Sequence, residues 1–97
     1  MKNSKAAEEA KYIKEQVAFC KRIKAIRIKQ KRTKIDVAVE AELNPNYYGR
    51  IERGLTGIIR FYTLDKIREA LGVKWVDILG PNNPIVTFLE ETNDETE

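Results

Sequence analysis

TKIDVAVEAELNPNYYGRIERG, residues 33–54, reads as two short helices joined by a tight turn. Thr33 is a good N-cap, and Asp36 three residues later completes a capping-box-like pair. Val37, Ala38 and Ala41 follow at helical spacing and give the first helix one apolar face. Ala38 is small enough for a second helix to cross closely over it. Leu43 is the apolar plug of the connection, and Asn44-Pro45 restarts the chain. A proline pushes the preceding residue out of the α region, and an N-cap needs that extended backbone. Proline at the first helical position sacrifices no hydrogen bond. In the second helix Tyr48 and Ile51 share one face. Asn46, Tyr47, Arg50 and Arg53 point elsewhere, and Gly54 offers a C-terminal stop.

Downstream, residues 60–71 (RFYTLDKIREAL) read as a helix with Phe61, Leu64, Ile67, Ala70 and Leu71 inward. Gly72 stops it, Val73 enters the core, and WVDIL at 75–79 makes a short further helix. Residues 80–84, GPNNP, form a strong breaker. Ile85, Val86, Phe88 and Leu89 are an apolar patch that docks on its own domain, binds a second subunit or stays loose. The closing TNDETE reads as a flexible acidic tail. Upstream, residues 1–18 are rich in Ala, Glu and Lys, with Ser4 as a candidate cap. Tyr12, Ile13 and Val17 open an apolar stripe that continues through Phe19, Ile23 and Ile26. The pattern fits one long helix, or a frayed arm followed by a helix from about Ala10.

The chain has 97 residues, 42% hydrophobic and 34% charged, which fits one small globular domain. No apolar run approaches the roughly 20 residues that span a bilayer, and no signal-peptide core opens the chain. The expected location is the cytoplasm, with no membrane partner. One cysteine and no histidine exclude an internal disulfide, a Cys/His zinc site and any His-based nucleophile. No enzyme, metal or cofactor is expected, and Cys20 reads as a small buried thiol. The net charge of +3 hides a split: residues 85–97 hold five acids and no base. Residues 1–84 carry 18 bases against 10 acids, a net +8 that suits a polyanionic partner.

The ordered set Thr33, Ala38, Leu43, Asn44, Tyr48, Ile51-Glu52-Arg53-Gly54 and Ala70-Leu71-Gly72-Val73 resembles the helix-turn-helix of phage-repressor-like (Xre/Cro-type) DNA-binding proteins. The resemblance runs from about Phe19 to Leu79. It implies an all-α, five-helix, lambda-repressor-like domain over residues 18–80. A helical extension (1–17) precedes it, and a C-terminal segment with the acidic tail (81–97) follows. It further implies double-stranded DNA as partner, with the helix over 45–53 in the major groove. A symmetric homodimer on half-sites about one DNA turn apart is expected, its surface formed by the 75–79 helix with Trp75, aided by residues 85–89 or the N-terminal arm.

Phosphate contacts position such a protein, and base-edge contacts specify its sequence. Pro45, Asn46, Tyr47 and Arg50 are the expected base readers. Asn pairs both ends of its amide with adenine, and Arg its fork with guanine. Arg32, Lys34, Arg53, Gly54 and Thr56 are the expected phosphate contacts. Arg27, Ala38, Leu43, Tyr48, Ile51 and Glu52 support the recognition helix. By the resemblance, Arg27 matches an arginine that pairs with the acid here at Glu52 and orients the helix from behind.

Several residues depart from the family pattern. Glu42 stands where glycine is common, and a left-handed backbone there costs about 1 kcal/mol. Arg32 replaces an apolar residue. Gly49 sits in mid-helix at a cost of about 1 kcal/mol against alanine, permitting close packing or close approach to the groove. Leu55, Ile58 and Ile59 make an apolar loop where similar proteins have a polar one. The leading expectation is a dimeric transcriptional repressor. An antitoxin sharing this body, with 85–97 covering its toxin, is one rival. A protein-interaction module that has lost DNA binding is the other.

Overall fold

The computed structural model describes the backbone of residues 2–95 and the side chains of residues 5–89. Six helices follow one another: α1 (Lys2–Lys29), α2 (Lys34–Glu40), α3 (Pro45–Glu52), α4 (Phe61–Leu71), α5 (Trp75–Leu79) and α6 (Pro84–Glu95). There is no strand among the described residues. The core joins Cys20 and Ile23 of α1, Val37 and Ala38 of α2, and Tyr48 and Ile51 of α3 to Leu64, Ile67, Trp75 and Ile78. Helix α1 packs on α3, α4 and α5, and α2 packs on α3 and α4.

The local chemistry sets the boundaries of the central pair of helices. The Thr33 hydroxyl accepts from the Asp36 amide at 3.0 Å, and the Asp36 carboxylate accepts from the Thr33 amide at 3.2 Å. These bonds hold the Asp36 carboxyl below its ordinary range. The Asn44 side chain accepts from the amides of Asn46 (2.8 Å) and Tyr47 (3.2 Å) and caps α3. Glu42 takes the left-handed backbone of the turn, φ 59°.

The N-terminal extension is the first half of one unbroken helix, which starts at Lys2, before the expected cap Ser4. Every residue from 5 to 15 is exposed. Tyr12 and Ile13 therefore lie uncovered, because α1 outruns the body that covers Cys20 and Ile23. Cys20 is buried as expected, and burial pushes its thiol up to about 11.

One expectation at the C-terminal end needs correction. Trp75 is no free dimer surface. It is 5% exposed, its ring stacks on Phe61 with centroids 4.5 Å apart, and the Arg68 guanidinium lies 5.2 Å over it. Residues 84–95 take the first of the courses left open for the 85–89 patch, docking on their own domain. They form α6, which opens with Pro84, and the Asn83 side chain accepts from the Ile85 amide at 2.9 Å. Val86 closes against the core. The last two residues of the expected tail lie outside the described ones.

Candidate nucleic-acid interface

Helix α3 divides along its length into a buried face and an outward one. Tyr48, Gly49, Ile51 and Glu52 are buried; Pro45, Asn46, Arg50 and Arg53 are exposed. Lys34, at the start of α2, joins the outward set. Lys34, Pro45, Asn46, Gly49, Arg50 and Arg53 together line one open depression of about 570 Å³. Five of the residues expected to touch DNA thus meet on one surface, around a glycine that the expected contact set omitted. Tyr47 is half-buried against the core, with the Arg50 guanidinium 6.0 Å from its ring centre. It braces the outward face as well as bordering it.

Behind that face is an ion pair. Arg27 Nε donates to Glu52 Oε2 at 2.6 Å and Nη2 donates to Oε1 at 3.0 Å, a two-bond fork. The Glu52 side chain is 0% exposed and that of Arg27 11%. Hydrogen bonding to Glu52 raises the Arg27 guanidinium further above its ordinary range. Its remaining nitrogen, Nη1, donates to the Arg32 carbonyl at 2.9 Å. The fork ties the last turn of α3 to α1. The Tyr48 hydroxyl is buried beside this pair and makes no hydrogen bond of standard geometry. Burial, and next the Glu52 carboxylate, push that phenol well above the usual tyrosine range.

The structure sorts the basic run of α1 and the following turn. Arg22 donates to the Ile78 carbonyl at 3.2 Å, at the end of α5. Arg32, expected at a phosphate, donates to the Ala70 carbonyl at 2.7 Å and pairs with Glu40. It caps α4 together with Gln30, whose amide donates to the Leu71 carbonyl at 2.8 Å. That commitment leaves Arg32 without the open guanidinium expected of a phosphate contact. The corner where similar proteins place an apolar residue is closed by hydrogen bonds instead. Lys21, Lys24, Lys29, Lys31 and Lys34 all stay exposed. The rigid fork of arginine suits fixed carbonyls and carboxylates, while lysine serves as a mobile point charge.

After α3 the chain turns on Gly54, at φ 71°. A β-carbon there would come within 3.3 Å of Val17 on α1. Gln16, one residue earlier on α1, clamps the following loop. Its Oε1 accepts from the Ile59 amide at 2.6 Å, and its Nε2 donates to the Gly57 carbonyl. Of the apolar loop residues only Ile59 is buried; Leu55 and Ile58 are exposed. Thr56 is half-exposed beside them, its hydroxyl donating to the Gly57 carbonyl at 3.4 Å. Nothing in a polar residue amid an Ala/Glu/Lys-rich helix marks Gln16 as the holder of this loop.

The Helix-turn-helix family model matches residues 23–78, more than half of the chain. The chain belongs to that family, in its Xre/Cro type, and is a DNA-binding protein of the transcription-regulator kind. No curated protein and no solved structure matches it. Among the described residues no helix is long and apolar enough to cross a membrane.

Proposed function

We propose that the chain is a sequence-specific repressor that works in the cytoplasm as a homodimer and lays α3 in the major groove of double-stranded DNA. The observation that carries this reading is the single open surface formed by Lys34, Pro45, Asn46, Arg50 and Arg53, with the Arg27–Glu52 fork behind it. Arg50 and Asn46 read bases, and Pro45 and Tyr47 add apolar contact. Lys34, Arg53, the backbone at Gly54 and Thr56 take phosphates. With Trp75 buried, the dimer surface is drawn from apolar residues that stay exposed: Leu55 and Ile58 beyond α3, or Ile85 on α6.

Selection of bound sites from random duplex DNA, followed by titrations at several salt concentrations, tests the reading. Arg50→Ala should cost about 1–3 kcal/mol at one base position and relax preference there. Arg53→Ala and Lys34→Ala should weaken binding on every sequence and flatten the salt dependence by about one unit of slope each. Identical behaviour of all three variants would defeat the assignment. Sedimentation of the free and bound chain tests the dimer.

A further inference from the structure

Gly49 lies in the middle of α3, one turn after Pro45 and one turn before Arg53, and is itself buried although it lines the depression. A β-carbon built on it would meet no atom within 4 Å outside its own helix turn. Its backbone is not among the positive-φ glycines. Glycine is one of the poorest residues for a helix interior. The fold therefore bears a cost at this position and gains neither a special turn nor a close helix crossing from it. What the missing side chain does leave is a bare floor to the depression lined by Lys34, Asn46, Arg50 and Arg53. Arg53 Nε donates back to the Gly49 carbonyl at 3.3 Å. That bond holds the arginine stem along the helix, where it lies clear of the space a β-carbon would take.

We propose that Gly49 is a specificity-determining residue: its bare backbone lets the edge of one base pair reach the surface of α3, at a depth that any side chain would forbid. The proposal rests on the DNA-binding reading above and deepens it. The surrounding cations attract phosphates without distinguishing bases. Asn46 and Arg50 lie on either side of the floor and would read the neighbouring pairs. Selection at position 49 then works by steric admission and needs no hydrogen bond.

Gly49→Ala tests this directly, because alanine fits the space and favours the helix. The wild-type chain is first used to select a duplex from random DNA. Both proteins are then titrated with the selected duplex and an unrelated one, and both are melted. The expected result is a higher melting temperature for the variant and unchanged binding to the unrelated duplex. Affinity for the selected duplex should fall about tenfold or more, the scale of one base contact. Equal affinity of the two proteins for the selected duplex would overturn the proposal. So would equal losses on both duplexes, or a lower melting temperature, which would give the glycine a role in the fold. If the wild type selects no duplex at all, the DNA-binding reading itself fails, a result distinct from each of these.

Discussion

Replacing Arg27 by methionine keeps most of the stem volume and removes the fork. Glu52 then stays in place with a side chain that is 0% exposed and no counter-charge. Removing one partner of such a buried pair costs about 3–5 kcal/mol. A domain of this size has roughly 5–15 kcal/mol to lose. At about 4–8 °C per kcal/mol the melting temperature should fall by roughly 12–40 °C. The same substitution at Glu52, added to the first, removes the second charge and should recover most of the loss. About 1 kcal/mol should remain lost, because the Arg32 carbonyl also accepts from Arg27. Urea denaturation of wild type, both single variants and the double variant closes the cycle and yields the coupling energy. Duplex titration of the double variant, well below its melting point, then asks a separate question. An apolar pair fills space but sets no direction, so α3 should hold its bases less well even where stability has returned. A coupling energy near zero would refute the claim that Glu52 depends on Arg27. A double variant that binds like the wild type would refute the claim that the fork orients the reading face.

Tyr48→Phe removes a buried hydroxyl that makes no standard hydrogen bond. It should raise stability by about 1 kcal/mol, seen as a higher urea midpoint; a fall would mean that the hydroxyl helps to seat the Arg27–Glu52 pair. Cys20 should resist a thiol reagent in the native protein near pH 8 and react readily once the chain is unfolded. Its folded-state value is raised from 9.0 to about 11, so the unfolded chain releases the thiol proton first. Stability should therefore fall as pH rises through that window, and a flat profile in denaturation experiments across it would contradict the burial.

What the sequence made legible was chemistry that acts over a few residues. The Thr33–Asp36 box and the Asn44 cap follow from side chains near their own backbone, whereas the left-handed turn at Glu42 was legible only through the family resemblance. The division of α3 into two faces follows from helical period. What stayed hidden depends on partners brought close by folding. Arg32 and Lys34 are two cations in one basic run, yet the first donates to a carbonyl 38 residues away while the second stays open. Trp75 reads as spare apolar surface until Phe61 is placed against it. Tyr12 and Ile13 continue an apolar stripe correctly, but period says nothing about where the covering body ends. One signal was present twice and read once. Asn44-Pro45 restarts a helix, and Asn83-Pro84 does the same by the same cap, although the neighbouring Gly80 and Pro81 made that stretch read as a breaker.

Helix α1 links the half-buried groups that hold the end of α3. Arg27 grips Glu52 in the last turn of α3, Val17 fills the space over Gly54 just past it, and Gln16 pins the loop beyond. All three lie on one continuous helix, which therefore fixes where the end of α3 points and where the loop beyond Gly54 begins. The outward residues Pro45, Asn46, Arg50 and Arg53 belong to a different set, with no part in that bracing beyond the half-buried Tyr47 under Arg50. Such a separation has a mechanical consequence. On the proposed reading, substitutions on the outward face should change which duplex is chosen while the helix stays aimed, whereas substitutions in the brace should change the aim for every duplex at once. The extension before the family-like body is accordingly more than an appendage: its last residues, Gln16 and Val17, complete the support that begins at Arg27.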